Sequence, residues 1–305
     1  MSGGTGMKTL CFGSLNIDNV YDVPHFVARG ETLAAGALNI FSGGKGLNQS
    51  VALARAGLEV FHAGAIGTDG QFLLDELAQA GVDTRYTAVL ESTRTGHAII
   101  QKGPDGDNCI LLFGGANQQI TRDQIDRTLE NFSAGDLLVL QNEISELHYL
   151  VSAARSRGMT VALNPSPMEA SLLPLLTQVD YLILNEIEAA QFLGLEQAGD
   201  PEEMLDELIR RFPAVTIALT IGKDGSIYAR GTERIRQEAV PVKAVDTTAA
   251  GDTFTGYLLA GLLSDGDPAA AMKYAAAAAA IAVTRPGAAP SIPTRDEVIS
   301  FLEKI

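Results

Sequence analysis

Short apolar runs alternate with amphipathic segments along most of the chain. Strand-like runs cover residues 9–15, 60–66, 136–141, 160–164, 181–184 and 215–221. Helical spacing of apolar residues lies between them, around 71–80, 122–132, 147–157 and 201–212. Strands that are separated by amphipathic helices are typical of a parallel sheet with helices on its faces. The pattern therefore predicts an α/β protein with a doubly wound, mostly parallel sheet.

One stretch departs from this alternation. Residues 95–101 and 108–113 are strand-like and flank Gly103-Pro104-Asp105-Gly106-Asp107, which is typical of a β-hairpin turn. A calcium loop is disfavoured there because the downstream glycine and glutamate that it requires are missing. We expect residues 94–115, together with residues 16–38, to form a small β-sheet lid at the carboxyl edge of the main sheet. We expect residues 7–305 to form one domain.

Charge and composition restrict the function. The chain has 305 residues, with 22 Lys+Arg against 37 Asp+Glu and a net charge of −15. This balance argues against nucleic-acid and membrane-surface partners, which select basic patches. The Ala-rich stretch 269–283 is too short to span a membrane and contains Lys273, so we expect a buried helix. Residues 1–6 are interpreted as an added extension before a native Met7, and they lack the apolar region of a signal peptide.

Cysteines and histidines give no metal-binding pattern. Cys11 and Cys109 lie in apolar strand-like runs and are expected to be buried thiols of a cytoplasmic protein. The histidines are scattered and are expected on the lid or the surface, which excludes a zinc site: His25, His62, His97 and His148. The first strand is not followed by Gly-x-Gly-x-x-Gly, which argues against a nicotinamide-dependent dehydrogenase.

Residues 245–254 carry the most specific chemistry. Three small residues, Ala249, Ala250 and Gly251, precede a segment with helical apolar spacing. Such a helix start exposes backbone N–H groups that favour an anion. Asp252 follows directly, and a carboxylate there could accept the proton of a hydroxyl that attacks a phosphoryl group. Taken alone, Asp252 could instead be an ordinary helix cap.

Polar side chains follow several of the predicted strands. Asn16 and Asp18 lie two residues apart, so an extended chain would place both on one face, where they could bind hydroxyl groups. Ordinary turn chemistry is the alternative. Further polar residues end later strands, namely Gln141, Asn142, Glu143, Asn164, Asn185, Glu186, Thr220, Gly222, Lys223 and Gly225. Doubly wound sheets bind ligands at this edge, so a site is expected there.

Three motifs occur together. They are Gly43-Gly44-Lys45-Gly46-x-Asn48-Gln49, Asn185-Glu186-x-Glu188 and Asp246-Thr-x-Ala-Ala-Gly-Asp252-Thr-Phe. The first is not a P-loop, because Gly46 stands where Ser or Thr should follow the lysine. In this order the motifs resemble those of the ribokinase-like (PfkB) family of sugar and nucleoside kinases, from about Leu10 to the C-terminus.

The resemblance implies the ribokinase-like fold and ATP-dependent phosphorylation of the 5-hydroxyl of D-ribose. Kinases of deoxyribose, of fructose or another hexose, and of nucleosides stay open within the family. A sensor that binds sugar or nucleotide without turnover on the same fold is a further alternative. The resemblance also implies a homodimer that forms through the lid.

The resemblance assigns roles to individual residues. Asp252 would be the catalytic base, and the anion hole would comprise Ala249, Ala250 and Gly251. The sugar would be bound by Asn16, Asp18, Gly44, Lys45, Asn48, Glu143 and Asp252. ATP would be bound by Asn185, Thr220, Gly222, Gly225 and Gly251.

Two metal ions are also implied. Mg²⁺ would be held by Asn185 and Glu188. K⁺ would be held in a loop formed by Asp246, Thr248, Ala282, Arg285, Gly287 and Ser291. One position departs from the family pattern, since Ala276 stands where a His or Asn lies beside the adenine. This departure leaves the adenine contacts open.

Overall fold

Two β-sheets organise the computed structural model, which describes residues 6–105, 107–264 and 266–304. The strands are β1 (Thr9–Phe12), β2 (Asn16–Asp22), β3 (Ala37–Gly43), β4 (Val60–Gly67), β5 (Asp83–Leu90), β6 (Gly96–Lys102), β7 (Asn108–Phe113), β8 (Leu137–Gln141), β9 (Thr160–Asn164), β10 (Tyr181–Asn185), β11 (Thr216–Thr220), β12 (Ser226–Arg230) and β13 (Glu233–Gln237). The helices are α1 (Lys45–Arg55), α2 (Gln71–Gln79), α3 (Arg122–Leu129), α4 (Leu147–Ser156), α5 (Glu186–Leu193), α6 (Pro201–Arg211), α7 (Ala250–Ser264), α8 (Pro268–Val283) and α9 (Arg295–Leu302).

The main sheet has nine strands in the order β13-β12-β11-β10-β9-β8-β1-β4-β5. All neighbours from β11 to β5 pair in parallel, and β12 and β13 add an antiparallel edge. Strands β1, β4 and β8 are buried along their whole length, as expected for parallel strands that are covered on both faces. The predicted fold class is therefore confirmed. Strands β5, β12 and β13 escaped prediction. The edge strands β5 and β13 are only partly buried and lack a continuous apolar run, whereas β12 is mostly buried but has an apolar run of only three residues.

Helices cover both faces of this sheet. One apolar cluster packs α3, α4, α5 and α6 against one face, and a second cluster packs α1, α2, α7, α8 and α9 against the other. Helix α7 approaches α1 closely at Gly256, where an added Cβ would lie 2.5 Å from the Ala52 Cβ atom. Ala52 lies in the second half of α1 and Gly256 near the middle of α7. About one turn earlier on each helix, Asn48 and Gln49 donate to Asp252, so this packing brings two sequence-distant motifs together.

The small sheet has the strand order β3-β2-β6-β7. Strands β6 and β7 pair as an antiparallel hairpin, which confirms the hairpin predicted around residue 105. Gly103 N–H donates to the Asp107 carbonyl across the turn (2.9 Å), and Gly106 lies outside the described residues. Every residue of β7 is exposed. Strand β2 begins at Asn16, four residues after the end of β1 at Phe12, so the small sheet adjoins the carboxyl edge of the main sheet. We call the small sheet the lid.

Two expectations about single residues were wrong. Cys109 is exposed, because β7 is an edge strand of the lid and no helix packs over it, whereas Cys11 is buried as expected. His62 lies in the fully buried strand β4 rather than on the surface, with Nδ1 2.8 Å from the Ser50 hydroxyl. Burial lowers the pKa of His62 to about 3, so this imidazole is neutral.

The Ala-rich stretch forms helix α8, and most of its alanines are buried, as predicted. Across residues 6–105, 107–264 and 266–304, we find no helix with the length and apolar character needed to cross a bilayer. The predicted extension 1–6 lies outside the described residues, apart from Gly6.

Candidate active site

A cavity of about 230 Å³ lies where the carboxyl ends of β9, β10 and β11 meet the first turns of α1, α5 and α7. Its lining is polar on most sides and consists of Lys45, Asn164, Ile183, Leu184, Asn185, Glu188, Thr220, Thr247, Ala249, Ala250, Gly251, Asp252 and Thr255. Residues from all three sequence motifs are present. This is the sheet edge at which the sequence predicted a site.

Helix α7 begins with unsatisfied N–H groups that face this cavity. Ala249 precedes the helix with φ of 59°, a conformation that costs roughly 1–3 kcal/mol in a residue other than glycine and that clusters at functional sites. The Ala250 N–H donates to the Thr247 carbonyl at 3.2 Å. The N–H groups of Ala249, Gly251 and Asp252 have no partner among the described residues. These three unpaired donors and the helix dipole are the features that favour an anion at a helix start.

Asp252 lies in the first turn of α7 and does not act as its cap. Its side chain is only 8% exposed and is bound on both oxygens. Asn48 Nδ2 donates to Oδ2 (3.0 Å), and Gln49 Nε2 donates to Oδ1 (2.9 Å). Helix α1 thus supplies two amide donors that hold the carboxylate in one orientation beside the anion-binding N–H groups.

Asn16 is held in place by a residue that the sequence analysis missed. Asn117 Nδ2 donates to Asn16 Oδ1 (2.8 Å), and the Leu15 N–H donates to Asn117 Oδ1 (3.0 Å). Gly96 is required beside them, since an added Cβ would lie 2.2 Å from Asn117 Nδ2 and 2.4 Å from Asn16 Oδ1. Asn117 belongs to a short 3₁₀ segment without a motif, so no sequence signal pointed to it.

Asp18 and Glu143 are two desolvated carboxyl groups near each other. Burial raises the pKa of Asp18 to about 6, and the charge of Glu143 contributes to this. The Asp18 carboxylate accepts no hydrogen bond from the part of the chain that the structure describes. Both residues are half-buried, so their free carboxylate oxygens can accept hydrogen bonds from a ligand that enters the site. This geometry suits a ligand with several hydroxyl groups.

Lys45 balances this negative charge. Burial alone would lower the pKa of the Lys45 ammonium, but the carboxylates of Asp252, Glu143 and Glu188 outweigh it and raise the pKa overall. Burial raises the pKa of Glu143, which is opposed by the Lys45 charge and by hydrogen bonds from the Ser14 hydroxyl and the Lys45 N–H. Lys45 is therefore the cation around which the acidic groups of the site are arranged.

Asn185 and Glu188 form a capping box at the start of α5. The Glu188 N–H donates to Asn185 Oδ1 (2.8 Å), and the Asn185 N–H donates to Glu188 Oε2 (3.0 Å). The motif that the sequence analysis interpreted as a metal site thus also has a structural purpose. Glu188 Oε1 stays free of hydrogen bonds within the described chain, and both residues line the cavity. Mg²⁺ usually keeps several water ligands and is bound through one or two carboxylates, so the single free oxygen of Glu188 would suit this ion.

The segments predicted to hold a monovalent cation are close together. Asp246 Oδ1 accepts from the Thr248 N–H (2.9 Å) and hydroxyl (2.6 Å), and Oδ2 accepts from the Gly287 N–H (2.9 Å). Partial burial works against the charged form, but these hydrogen bonds lower the pKa of Asp246 overall. The Arg285 side chain pairs with Glu297 at 2.6 Å, so only its backbone is available to an ion in this loop. Ala282 lies in the last turn of α8, and the buried Ser291 hydroxyl donates to the Ala288 carbonyl (2.7 Å).

The residues predicted to bind ATP divide into two groups. Asn185, Thr220 and Gly251 line the cavity, whereas Gly222 and Gly225 do not. Gly225 has a structural reason to be glycine, because φ is 95° and an added Cβ would lie 2.1 Å from the Gln237 carbonyl oxygen. Gly44 likewise has φ of 95° and precedes α1. Ala276 is half-buried on α8 and lies outside the cavity lining.

Comparison with known proteins gives consistent matches. The profile of the pfkB family carbohydrate kinases matches residues 7–295. A ribokinase of Haemophilus influenzae is 37% identical, covering 97% of this chain and 99% of the relative. The crystal structure of ribokinase from Cryptococcus neoformans in complex with ADP has a TM-score of 0.85 at 34% identity, covering 97% of this chain and 99% of that chain. The structure of Arabidopsis thaliana ribokinase complexed with ribose and ATP has a TM-score of 0.86 at 27% identity, covering 97% of this chain and 98% of that chain.

Proposed function

This chain belongs to the pfkB family of carbohydrate kinases, and on that premise we propose that it transfers the γ-phosphoryl group of ATP to the 5-hydroxyl of D-ribose. The products are ribose 5-phosphate and ADP. The observation that carries the proposal is the Asp252 carboxylate, buried and bound by two amides directly beside the unpaired N–H groups of α7. A base and an anion-binding concavity are the two elements that phosphoryl transfer to a hydroxyl requires.

The order of events follows from this geometry. The sugar hydroxyl donates its hydrogen to Asp252, which accepts the proton as the oxygen attacks phosphorus. The N–H groups of Ala249, Gly251 and Asp252 bind the oxygens of the transferring group, where negative charge is concentrated. Because these donors are preorganised, they cost little reorganisation during the reaction. The strained backbone at Ala249 is consistent with such preorganisation.

Ribose is favoured by the acceptors on the lid side of the site. Asp18 and Glu143 offer desolvated carboxylate oxygens, and Asn16 keeps an amide N–H₂ after Asn117 has engaged its carbonyl oxygen. Such groups discriminate against a sugar that lacks a matching hydroxyl, because they would be left unpaired. We therefore propose that Asn16, Asp18, Gly44, Lys45, Asn48 and Glu143 bind the sugar and that 2-deoxyribose is a poorer substrate.

We propose two metal ions as cofactors. Glu188 and Asn185 would hold Mg²⁺ mainly through its water ligands, and this ion would neutralise the phosphate oxygens. No group of three or more His, Cys, Asp or Glu side chains with metal-binding geometry occurs within the described residues. The loop around Asp246 and Gly287 would hold K⁺ and thereby order the start of α7.

The direct test of the function is a coupled assay of ADP release with Mg²⁺-ATP. Ribose, 2-deoxyribose, fructose and adenosine are compared, each in K⁺ and in Na⁺ buffer. We expect ribose to give the highest kcat/KM and K⁺ to increase turnover. If another sugar were preferred, the proposed kinase activity would stand, and ribose as the substrate would be refuted. Ligand binding without turnover across the panel would instead indicate a sensor.

We further propose a homodimer that forms through the lid. Alternate residues of the lid strands point to the face opposite Asp18, and this far lid face is apolar and strongly exposed: Leu38, Ile40, Ile99, Leu111 and Phe113. Residues on the Asp18 face can be covered when the lid closes over the sugar. The far lid face has no such cover from the described part of this chain. A second copy of the chain, with the same apolar strip, is the partner that we propose.

Introducing charge on the far lid face is expected to give a monomer. Leu111 is 67% exposed and Ile40 is 58% exposed, so the double substitution Leu111→Asp and Ile40→Asp should not affect folding. Light scattering after gel filtration should report twice the chain mass for the wild type and the single chain mass for the variant. Ile299→Asp, at an exposed apolar residue on α9 away from the lid, is the control and should stay dimeric. A wild-type monomer, or a dimeric double variant, would refute this interface.

We propose a cytoplasmic location, because ATP and K⁺ are abundant there. Both cysteines are free thiols, which is consistent with a reducing compartment. The net charge of −15 gives no reason to propose a nucleic-acid or membrane partner.

A further inference from the structure

Gln49 lies directly behind the proposed catalytic base and is completely buried. Its Nε2 donates to Asp252 Oδ1 (2.9 Å) and approaches Asn164 Oδ1 (3.3 Å). It comes from the first half of α1, one residue after the sugar-side Asn48. Gln49 has no exposed surface and therefore has no position from which to contact a substrate.

The orientation of the Gln49 amide is determined from both sides. Gln141 Nε2 donates to Gln49 Oε1 (2.7 Å), so the carbonyl oxygen must face Gln141. Asn164 Nδ2 donates to the Ile183 carbonyl (2.9 Å), which turns Asn164 Oδ1 towards Gln49. A rotated Gln49 amide would place its oxygen against both Asp252 Oδ1 and Asn164 Oδ1, and its nitrogen against a donor. The network therefore permits one arrangement only.

We propose that Gln49 is a positioning residue for Asp252, and that Gln141 and Asn164 orient it through their side-chain amides. This inference rests on the proposed function of Asp252 as the base. With Oδ1 held by Gln49 and Oδ2 by Asn48, the lone pairs that remain available to a substrate hydroxyl have a fixed direction. Misplacement of a reacting group by about 1 Å can cost on the order of 100-fold in rate. The role of Gln49 is to prevent such misplacement.

The test uses Gln49→Met, which preserves the length of the side chain and removes the donor. We expect kcat to fall by about 10-fold to 100-fold while the KM values for sugar and ATP change by less than about 3-fold. Gln49→Glu should lower kcat further, because a second carboxylate would lie against Asp252. Gln141→Met should lower kcat with a smaller effect, because Gln49 would keep its own hydrogen bond to Asp252.

Two controls separate positioning from simple folding effects. Ser50→Ala, on the same helix, removes a buried hydrogen bond to His62 and should lower stability without changing kcat. The crystal structure of Gln49→Met should show the Asp252 carboxylate displaced from its wild-type position, and this readout does not depend on turnover. A wild type without kinase activity would refute the proposed function, and the crystal structure would still test this inference. Wild-type kcat and an unmoved Asp252 carboxylate in Gln49→Met would overturn it.

Discussion

Replacing Asp252 with Asn is expected to lower kcat at least about 100-fold, in line with the loss of a general base. The amide cannot accept the proton of the sugar hydroxyl, whereas its size and shape are those of the carboxylate. Sugar binding should be largely intact, because the other proposed contacts come from the lid, from α1 and from Glu143. Measurement of kcat by ADP release and of the ribose dissociation constant by calorimetry separates the two effects.

The surrounding amides explain why this variant should fold. Both Asp252 oxygens accept from amides, so an Asn side chain would place its own N–H₂ against a donor. Asn48 can relieve this conflict by rotating its amide, because Asn48 Oδ1 has no hydrogen-bond partner within the described residues. Asp252→Ala, which removes the group entirely, should show a similar loss of kcat. Near-normal turnover in both variants would refute Asp252 as the base.

Replacing Gly251 with Ala is expected to lower kcat/KM for ATP by about 100-fold without loss of stability. An added Cβ meets no atom within 4 Å, and Gly251 lines the cavity beside the unpaired N–H groups. The methyl group would therefore occupy space that the phosphoryl group requires, at a site where one donor is worth about 100-fold or more. Within helix α7, the same change should raise the free energy of unfolding by about 0.5–1 kcal/mol.

The matched control lies five residues further along the same helix. In Gly256→Ala the new Cβ would lie 2.5 Å from the Ala52 Cβ atom and 2.9 Å from the Ala52 carbonyl carbon, so α7 and α1 would have to separate. This overpacking should lower the free energy of unfolding by about 1–3 kcal/mol. Denaturant unfolding and steady-state kinetics on both variants test the pair. If Gly251→Ala retained full kcat/KM, the phosphoryl group would not bind at this turn.

The fold and the edge that carries the site could be predicted from local patterns. Fully buried parallel strands require continuous apolar runs, and the helices between them require apolar residues at helical spacing, so both are visible in the sequence. The glycines around Lys45 are visible in the sequence, but their cause is tertiary: an added Cβ at Gly44 would lie 2.8 Å from the Ser14 carbonyl oxygen, and one at Gly46 would lie 2.4 Å from the Ser14 nitrogen. Edge strands such as β5 and β13 have no such signal, because their neighbours decide how much of them is buried.

The arrangement of the site was decided by tertiary structure alone. Asp252 meets its amide donors across sequence separations of 204 residues to Asn48 and 203 residues to Gln49, and Asn16 meets Asn117 across 101 residues. Local pattern carries no information about which distant side chains will face one another. The capping box of Asn185 and Glu188 is local, by contrast, and its three-residue spacing is recognisable in the sequence. Cys109 lies in an apolar strand, and only the tertiary structure shows that this residue is exposed. The sequence by itself determined the fold class and the residue types of the site, whereas only the packed sheet and helices determined which donor each carboxylate receives.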